Sequence, residues 1–136
     1  DLAETFAPLA EERGQSLTLL APPQALSVQG DAAMLAQLLA NLIQNAINHC
    51  PAGTAIVLGA APRAKGVALW VADSGPGIPT AERDKVFELF YRLDPNRTGG
   101  GNGLGMALVK AIATRLGAQI VLSDENPGLR VEVIFA

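Results

Sequence analysis

Apolar positions in the first stretch of the chain recur at helical spacing. Leu2, Phe6, Leu9 and Ala10 share one helix face, and Arg13-Gly14 reads as its end, with glycine supplying a left-handed cap. Leu17-Thr18-Leu19-Leu20 then reads as a strand, broken by Ala21-Pro22-Pro23, and Ala25 to Val28 is a candidate second short strand. Gly30-Asp31 opens the clearest helix, with Asp31 as N-cap. Its apolar stripe is Met34, Leu35, Leu38, Leu39, Leu42, Ile43 and Ala46, and Pro51 stops it by disfavouring helical geometry at Cys50. Thr54 to Ala60 and Gly66 to Ala72 are apolar runs joined by Pro62-Arg63-Ala64-Lys65, and they read as neighbouring strands. Val86 to Tyr91 predicts a short helix or helical turn. Arg92 to Gly103, rich in Gly, Asn, Asp and Arg, predicts a mobile loop. Leu104 to Leu116 predicts a helix ending at Gly117. Gln119 to Leu122 and Leu129 to Phe135 predict two last strands linked by the turn Asp124-Glu125-Asn126-Pro127-Gly128.

The sum is about five strands and three main helices, with strand pairs adjacent and helices between the pairs. That order predicts an α/β fold: a mixed sheet covered on one face by helices, a two-layer sandwich. No internal repeat or linker divides the chain, so residues 1–136 are expected to form one domain.

Composition narrows the function. With 49% hydrophobic and 17% charged residues over 136 positions, the chain can bury a core without staples and is not disordered. The net charge of −3 and the lack of a long basic run argue against nucleic acid as a main partner. Cys50 is the only cysteine, so no internal disulfide forms, which fits a reducing compartment. No apolar run approaches the roughly 20 residues that span a bilayer, and no basic-then-apolar signal opens the chain. It begins at Asp1, not Met, and the expectation is a domain taken from a longer protein.

Three polar runs carry candidate chemistry. Asn41 and Asn45 are four apart on one helix face, with Asn48 three further on. Asparagine is a mediocre helix former, and three on one side of an apolar helix fit a polar cleft whose amide oxygens suit Mg²⁺. Read alone, they fit a solvated face as well. Asp73 follows the apolar run Val67 to Val71, and Gly75 and Gly77 allow tight turns or close approach of a ligand. A carboxylate at the end of a buried strand can accept from an exocyclic amine such as that of adenine; a surface turn accounts for the same residues. Gly101-Asn102-Gly103-Leu104-Gly105 precedes a helix, where backbone N–H groups and the helix dipole favour phosphate. It is not a Walker loop, since no Gly-Lys-Ser/Thr follows, nor a Rossmann fingerprint, which would follow an early strand.

Taken together and in order, these runs resemble the ATP-binding domain of sensor histidine kinases, in the wider family of gyrase, Hsp90 and MutL. Asn41-x-x-x-Asn45-Ala46 is similar to the N box and Asp73-x-Gly75-x-Gly77-Ile78 to the G1 box. Phe87-Glu88-Leu89-Phe90-Tyr91-Arg92 resembles the F box and Gly101-x-Gly103-Leu104-Gly105-Met106 the G2 box. The resemblance covers essentially the whole chain and implies a Bergerat-type ATP-binding fold with ATP and Mg²⁺ as ligands.

It also implies roles. Asp73 would bind the adenine amine, partly through water, in a pocket with Gly75, Gly77 and Ile78. Asn45 would coordinate Mg²⁺, with Asn41 beside the phosphates. Gly101, Asn102, Gly103, Leu104, Gly105 and Met106 would line the triphosphate at the end of a mobile lid. Arg92 and Arg97 would approach the phosphates, and Phe87 and Phe90 would anchor the lid or simply pack. Asn41, Asn45 and Arg92 would be catalytic. Asn48 stands where many of these kinases carry a basic residue, so it brings no positive charge to the phosphates. His49, the only histidine, would touch the pocket edge or simply end the helix; as a phosphoacceptor it lacks the acidic residue that usually follows.

Hydrolytic relatives such as gyrase typically carry Glu at the position of Asn41, as general base for water. An amide cannot take that proton, so the resemblance favours phosphoryl transfer to a protein histidine. The acceptor would lie on a separate helical dimerisation domain of the parent protein, with a response regulator downstream. The domain would be cytoplasmic without direct membrane contact, and its parent open to anchoring in the inner membrane. The alternatives are a non-catalytic ATP-binding or interaction module, or a serine kinase like the anti-sigma factors of the same fold.

Overall fold

The computed structural model describes residues 2–20, 32–63, 66–75, 105–125 and 127–135. Its elements are α1 (Leu2–Glu12), β1 (Ser16–Leu19), α2 (Ala32–His49), β2 (Ala55–Arg63), β3 (Gly66–Asp73), α3 (Gly105–Leu116), β4 (Gln119–Asp124) and β5 (Leu129–Phe135). The expected strand at 25–28, the cap at Asp31, the helical turn at 86–91 and the loop at 92–103 fall outside the described residues.

The strands form one sheet in the order β1-β2-β3-β5-β4. β1 runs parallel to β2, and β2–β3, β3–β5 and β4–β5 are antiparallel. The mixed pattern follows from the connections. A parallel neighbour needs a long crossover, and the segment between β1 and β2 contains α2. The segment between β3 and β4 contains α3, and the β4–β5 hairpin then returns β5 to a place beside β3.

Alternation along the strands sends one set of side chains to the helices. In β5, Leu129, Val131, Val133 and Phe135 are buried while Arg130, Glu132 and Ile134 between them are half-buried. The first set joins Leu38, Leu42, Ile43, Ala46 and Ile47 of α2 and Val109, Ile112 and Ala113 of α3 in one core, with Ile56, Leu58 and Val71 from the middle strands. This is the expected two-layer α/β sandwich. Leu38, Ile43 and Ile47 are fully buried, and cutting any of them to Ala would cost about 2–5 kcal/mol in lost contacts and cavity.

The far face carries Trp70, which lies over Gly59 on β2. A β-carbon at Gly59 would overlap the indole ring, so glycine is required there for space. The Arg130 guanidinium lies over the same ring, 4.2 Å from its centroid. Two strands run further than expected. β2 continues through Pro62 to Arg63, and β4 reaches Asp124. Pro62 stands in register with Val67 of β3, and among the described residues β1 pairs with β2 only as far as Leu58.

Both predicted glycine caps form. Gly14 (φ 73°) and Gly117 (φ 74°) take the left-handed conformation. The amide of Gln15 then returns to the Ala10 carbonyl at 2.9 Å, and that of Ala118 to Ala113 at 2.8 Å, closing α1 and α3. The C-terminus of α2 closes differently. The buried Gln15 side chain donates from Nε2 to the carbonyls of Ile47 and Cys50, at 2.9 and 2.7 Å. Among the described residues no helix is long and apolar enough to cross a membrane.

Candidate nucleotide site

α2 presents its three asparagines at the border between core and solvent. Asn41, Asn45 and Asn48 are all half-buried, flanked by the buried Leu42, Ile43, Ala46 and Ile47. They are therefore not a plain solvated face. The Gln37 amide donates to Asn41 Oδ1 at 3.2 Å, and the buried Asn41 Nδ2 finds no acceptor among the described residues. A buried amide donor left unpaired costs about 1–3 kcal/mol, and an oxygen-rich ligand would relieve it. Gln44 donates to Asn48 Oδ1 at 3.1 Å, so the Asn48 oxygen is already engaged along the helix. Asn45 makes no side-chain hydrogen bond among the described residues.

Asp73 ends β3 on the helix-facing side, paired with Ile56, and is only 7% exposed. The surface-turn alternative therefore does not hold for Asp73. Its Oδ1 accepts the Gly75 N–H at 2.9 Å and the Leu129 N–H at 3.4 Å. Neighbouring Ser74 bonds Ala55 twice: its N–H donates to the Ala55 carbonyl at 3.0 Å, and its Oγ accepts the Ala55 N–H at 2.9 Å. These bonds hold the strand end in place.

Gly75 is needed for space and not for a left-handed turn, since its φ is not in that region. A β-carbon there would stand 2.9 Å from Cys50 Sγ and 3.2 Å from Asp73 Oδ1. Cys50 directly follows α2 and is fully buried. The end of β3 with Asp73 thus docks on the end of α2, immediately after Asn48 and His49. His49 is half-buried at this junction.

The structure therefore brings together the end of the asparagine helix and the Asp73–Gly75 corner. Gly105 and Met106 open α3, whose buried face packs in the same core as α2. Gly77, Ile78, Phe87, Phe90, Arg92, Arg97, Gly101, Asn102, Gly103 and Leu104 lie outside the described residues. Three contributors escaped the sequence reading: Gln15, Cys50 and the Gly128-Leu129 pair. Only Gly128 carried a sequence signal, as a turn residue after Pro127; its partner Asp73 lies far away in the chain.

The donor set suits Mg²⁺. Among the described residues no three His, Cys, Asp or Glu side chains gather as a metal cage. Asn45 offers one hard, neutral amide oxygen, which fits an ion that keeps its waters and shares phosphate oxygens.

Known proteins of similar sequence and fold identify the family. Residues 30–136 match the family described as histidine kinase-, DNA gyrase B- and HSP90-like ATPase. The sensor protein IrlS of Burkholderia pseudomallei is 34% identical over 131 residues, which is 95% of this chain and 27% of IrlS. The structure of the mycobacterial sensor histidine kinase MprB is 26% identical with a TM-score of 0.81, covering 98% of this chain and 92% of that one. The structure of full-length ShkA in complex with AMPPNP is 28% identical with a TM-score of 0.85, covering 99% of this chain and 29% of that one. The chain spans about a quarter of the length of the curated relatives it matches. It belongs to the histidine kinase-, gyrase B- and HSP90-like ATPases, as the catalytic ATP-binding domain of a sensor histidine kinase.

Proposed function

We propose that residues 1–136 act as one catalytic domain that binds ATP with Mg²⁺ and donates the γ-phosphoryl group to a histidine on a helical dimerisation domain of the same parent. A response regulator would receive the group next. The observation that carries this reading is the buried Asp73 carboxylate beside the end of the asparagine helix. Its Oδ1 is taken by two backbone N–H groups, and no bond among the described residues engages Oδ2. That oxygen is the acceptor for the adenine amine. The ligand named for ShkA, AMPPNP, is an adenine nucleotide and supports the same assignment.

In this reading Asn41 turns its orphaned Nδ2 to a phosphate oxygen, and Asn45 holds Mg²⁺ through its amide oxygen. When bound, Mg²⁺ neutralises charge on the phosphates. Arg92 and Arg97 add positive charge there, and Gly101, Asn102, Gly103, Leu104, Gly105 and Met106 line the phosphates with Gly77 and Ile78 by the base. Asn48 has its oxygen engaged by Gln44 and leaves only its N–H groups for the nucleotide. His49 contributes an edge contact.

The chemistry needs no strong base. A neutral imidazole nitrogen of the acceptor attacks the γ-phosphorus with its lone pair. The P–N bond forms, the bond to the β,γ-bridging oxygen breaks, and ADP leaves with that electron pair. The proton lost from the imidazolium passes to water. Asn41 cannot deprotonate a water, so transfer is favoured over hydrolysis. The domain works from the cytoplasmic side, without contacting membrane or nucleic acid.

Titration calorimetry of this chain with a non-hydrolysable ATP analogue, with and without Mg²⁺, tests the binding. Saturable binding strengthened by Mg²⁺ is expected; none up to millimolar nucleotide would sink the kinase reading. Adding a separate helical domain with an acceptor histidine should then yield an acid-labile, base-stable phosphoryl label. An acid-stable label would indicate a serine kinase, and no label with nucleotide bound a non-catalytic module.

A further inference from the structure

The β4–β5 turn reaches across to Asp73 in two ways. The last pair between β3 and β5 is Ala72 with Arg130. One residue beyond it, the Leu129 N–H meets the Asp73 carboxylate at 3.4 Å. The carboxylate thus takes a place a backbone carbonyl would otherwise fill.

Gly128 provides the second contact. It sits at φ 111°, a conformation that L side chains rarely adopt. A β-carbon there would overlap the Asp73 carbonyl oxygen, and would stand 2.7 Å from the carbonyl carbon and 3.0 Å from Ser74 Cα. All three are main-chain atoms, which cannot swing aside as a long side chain does. On the opposite side, Ser74 is pinned to Ala55 by two hydrogen bonds. The main chain that carries the carboxylate is held between β2 and the turn.

We infer that Gly128 is a positioning residue for base recognition: with Leu129 it aims the Asp73 carboxylate at the exocyclic amine of the nucleotide. This rests on the adenine reading of Asp73 given above. A side chain at position 128 must push the end of β3 or unwind the turn. Either movement misdirects the carboxylate, and a hydrogen bond weakens steeply with angle. The asparagines of α2 stand on another element and keep their contacts, so the loss is selective for the base.

Calorimetry on the 136-residue chain decides the matter, using ATP and purine riboside triphosphate, which carries hydrogen in place of the amine. Asp73→Ala is the reference variant. Both Asp73→Ala and Gly128→Ala are expected to weaken ATP about tenfold or more and the amine-less analogue less than about twofold, as for loss of one charge-assisted hydrogen bond. If Asp73→Ala shows that selectivity and Gly128→Ala does not, the positioning role is wrong and the adenine reading stands. If Asp73→Ala weakens both nucleotides alike, the adenine reading falls and the positioning role with it. Should Gly128→Ala not fold, amide exchange in parent and Asp73→Ala decides. Faster exchange at Leu129 in the variant supports the coupling, and unchanged exchange overturns it.

Discussion

Gln15 and Cys50 stand 35 residues apart in the chain, yet the Gln15 amide nitrogen lies 2.7 Å from the Cys50 carbonyl oxygen. The same nitrogen reaches the Ile47 carbonyl at 2.9 Å. A helix leaves its last carbonyls without partners, and one buried side chain here satisfies two of them. Gln15 itself follows the glycine cap of α1, so it joins the ends of two helices and holds the main chain of Cys50, whose Sγ lies against Gly75.

Replacing Gln15 with Leu keeps the bulk and removes the donor. The carbonyls of Ile47 and Cys50 then lose this donor, while the unpaired Gln15 Oε1 disappears as well. The expected loss is about 1–3 kcal/mol, for buried hydrogen bonds removed while one existing defect is relieved. Urea unfolding measures it, and an unchanged midpoint would contradict the capping role.

Asn45→Ala addresses the metal. Nucleotide binding without Mg²⁺ should change little, since Asn45 serves the ion and not the base. The strengthening by Mg²⁺ should shrink by about tenfold, as for one lost hydrogen bond to a charged group. Calorimetry in both conditions reads this difference. Equal losses with and without Mg²⁺ would assign Asn45 to the phosphates instead.

Asn41→Glu tests why this domain would transfer and not hydrolyse. A carboxylate at this position can take a proton from water, a contribution worth about 10²–10⁴ in well-placed sites. An increase in phosphate release of at least about tenfold is expected, since the neighbouring groups are not tuned for water. No increase would show that Asn41 does not border the attacking water.

Gly59→Ala tests the far face of the sheet. The new methyl meets the rigid Trp70 ring, which must leave its place under Arg130. Overpacking of this kind costs about 1–3 kcal/mol. Trp70 is the only tryptophan, so a shift in fluorescence reports the movement directly. In a cycle with Trp70→Leu the two substitutions should be strongly non-additive; additive effects would remove the clash as cause.

Local pattern made most of the fold legible. The α2 stripe, the alternation in β5 and the caps at Gly14 and Gly117 each depend on residues close in the chain, where spacing alone dictates which side chains share a face. The strand ends were less legible. Pro62 reads as a breaker, yet β2 carries it in register with Val67 of β3.

The candidate site divides along the same line. Residue types and spacing within the chain determined the asparagine face, the acid after an apolar strand and the family they resemble. Only the tertiary structure decided that Asp73 is buried, that Gly75 is glycine because Cys50 lies against it, and that Leu129 and Gly128 hold the carboxylate. The physical reason is distance along the chain. A backbone N–H from 56 residues away and a missing β-carbon against a remote carbonyl leave no periodicity to read, because backbone contacts carry no side-chain signature until the strands are paired.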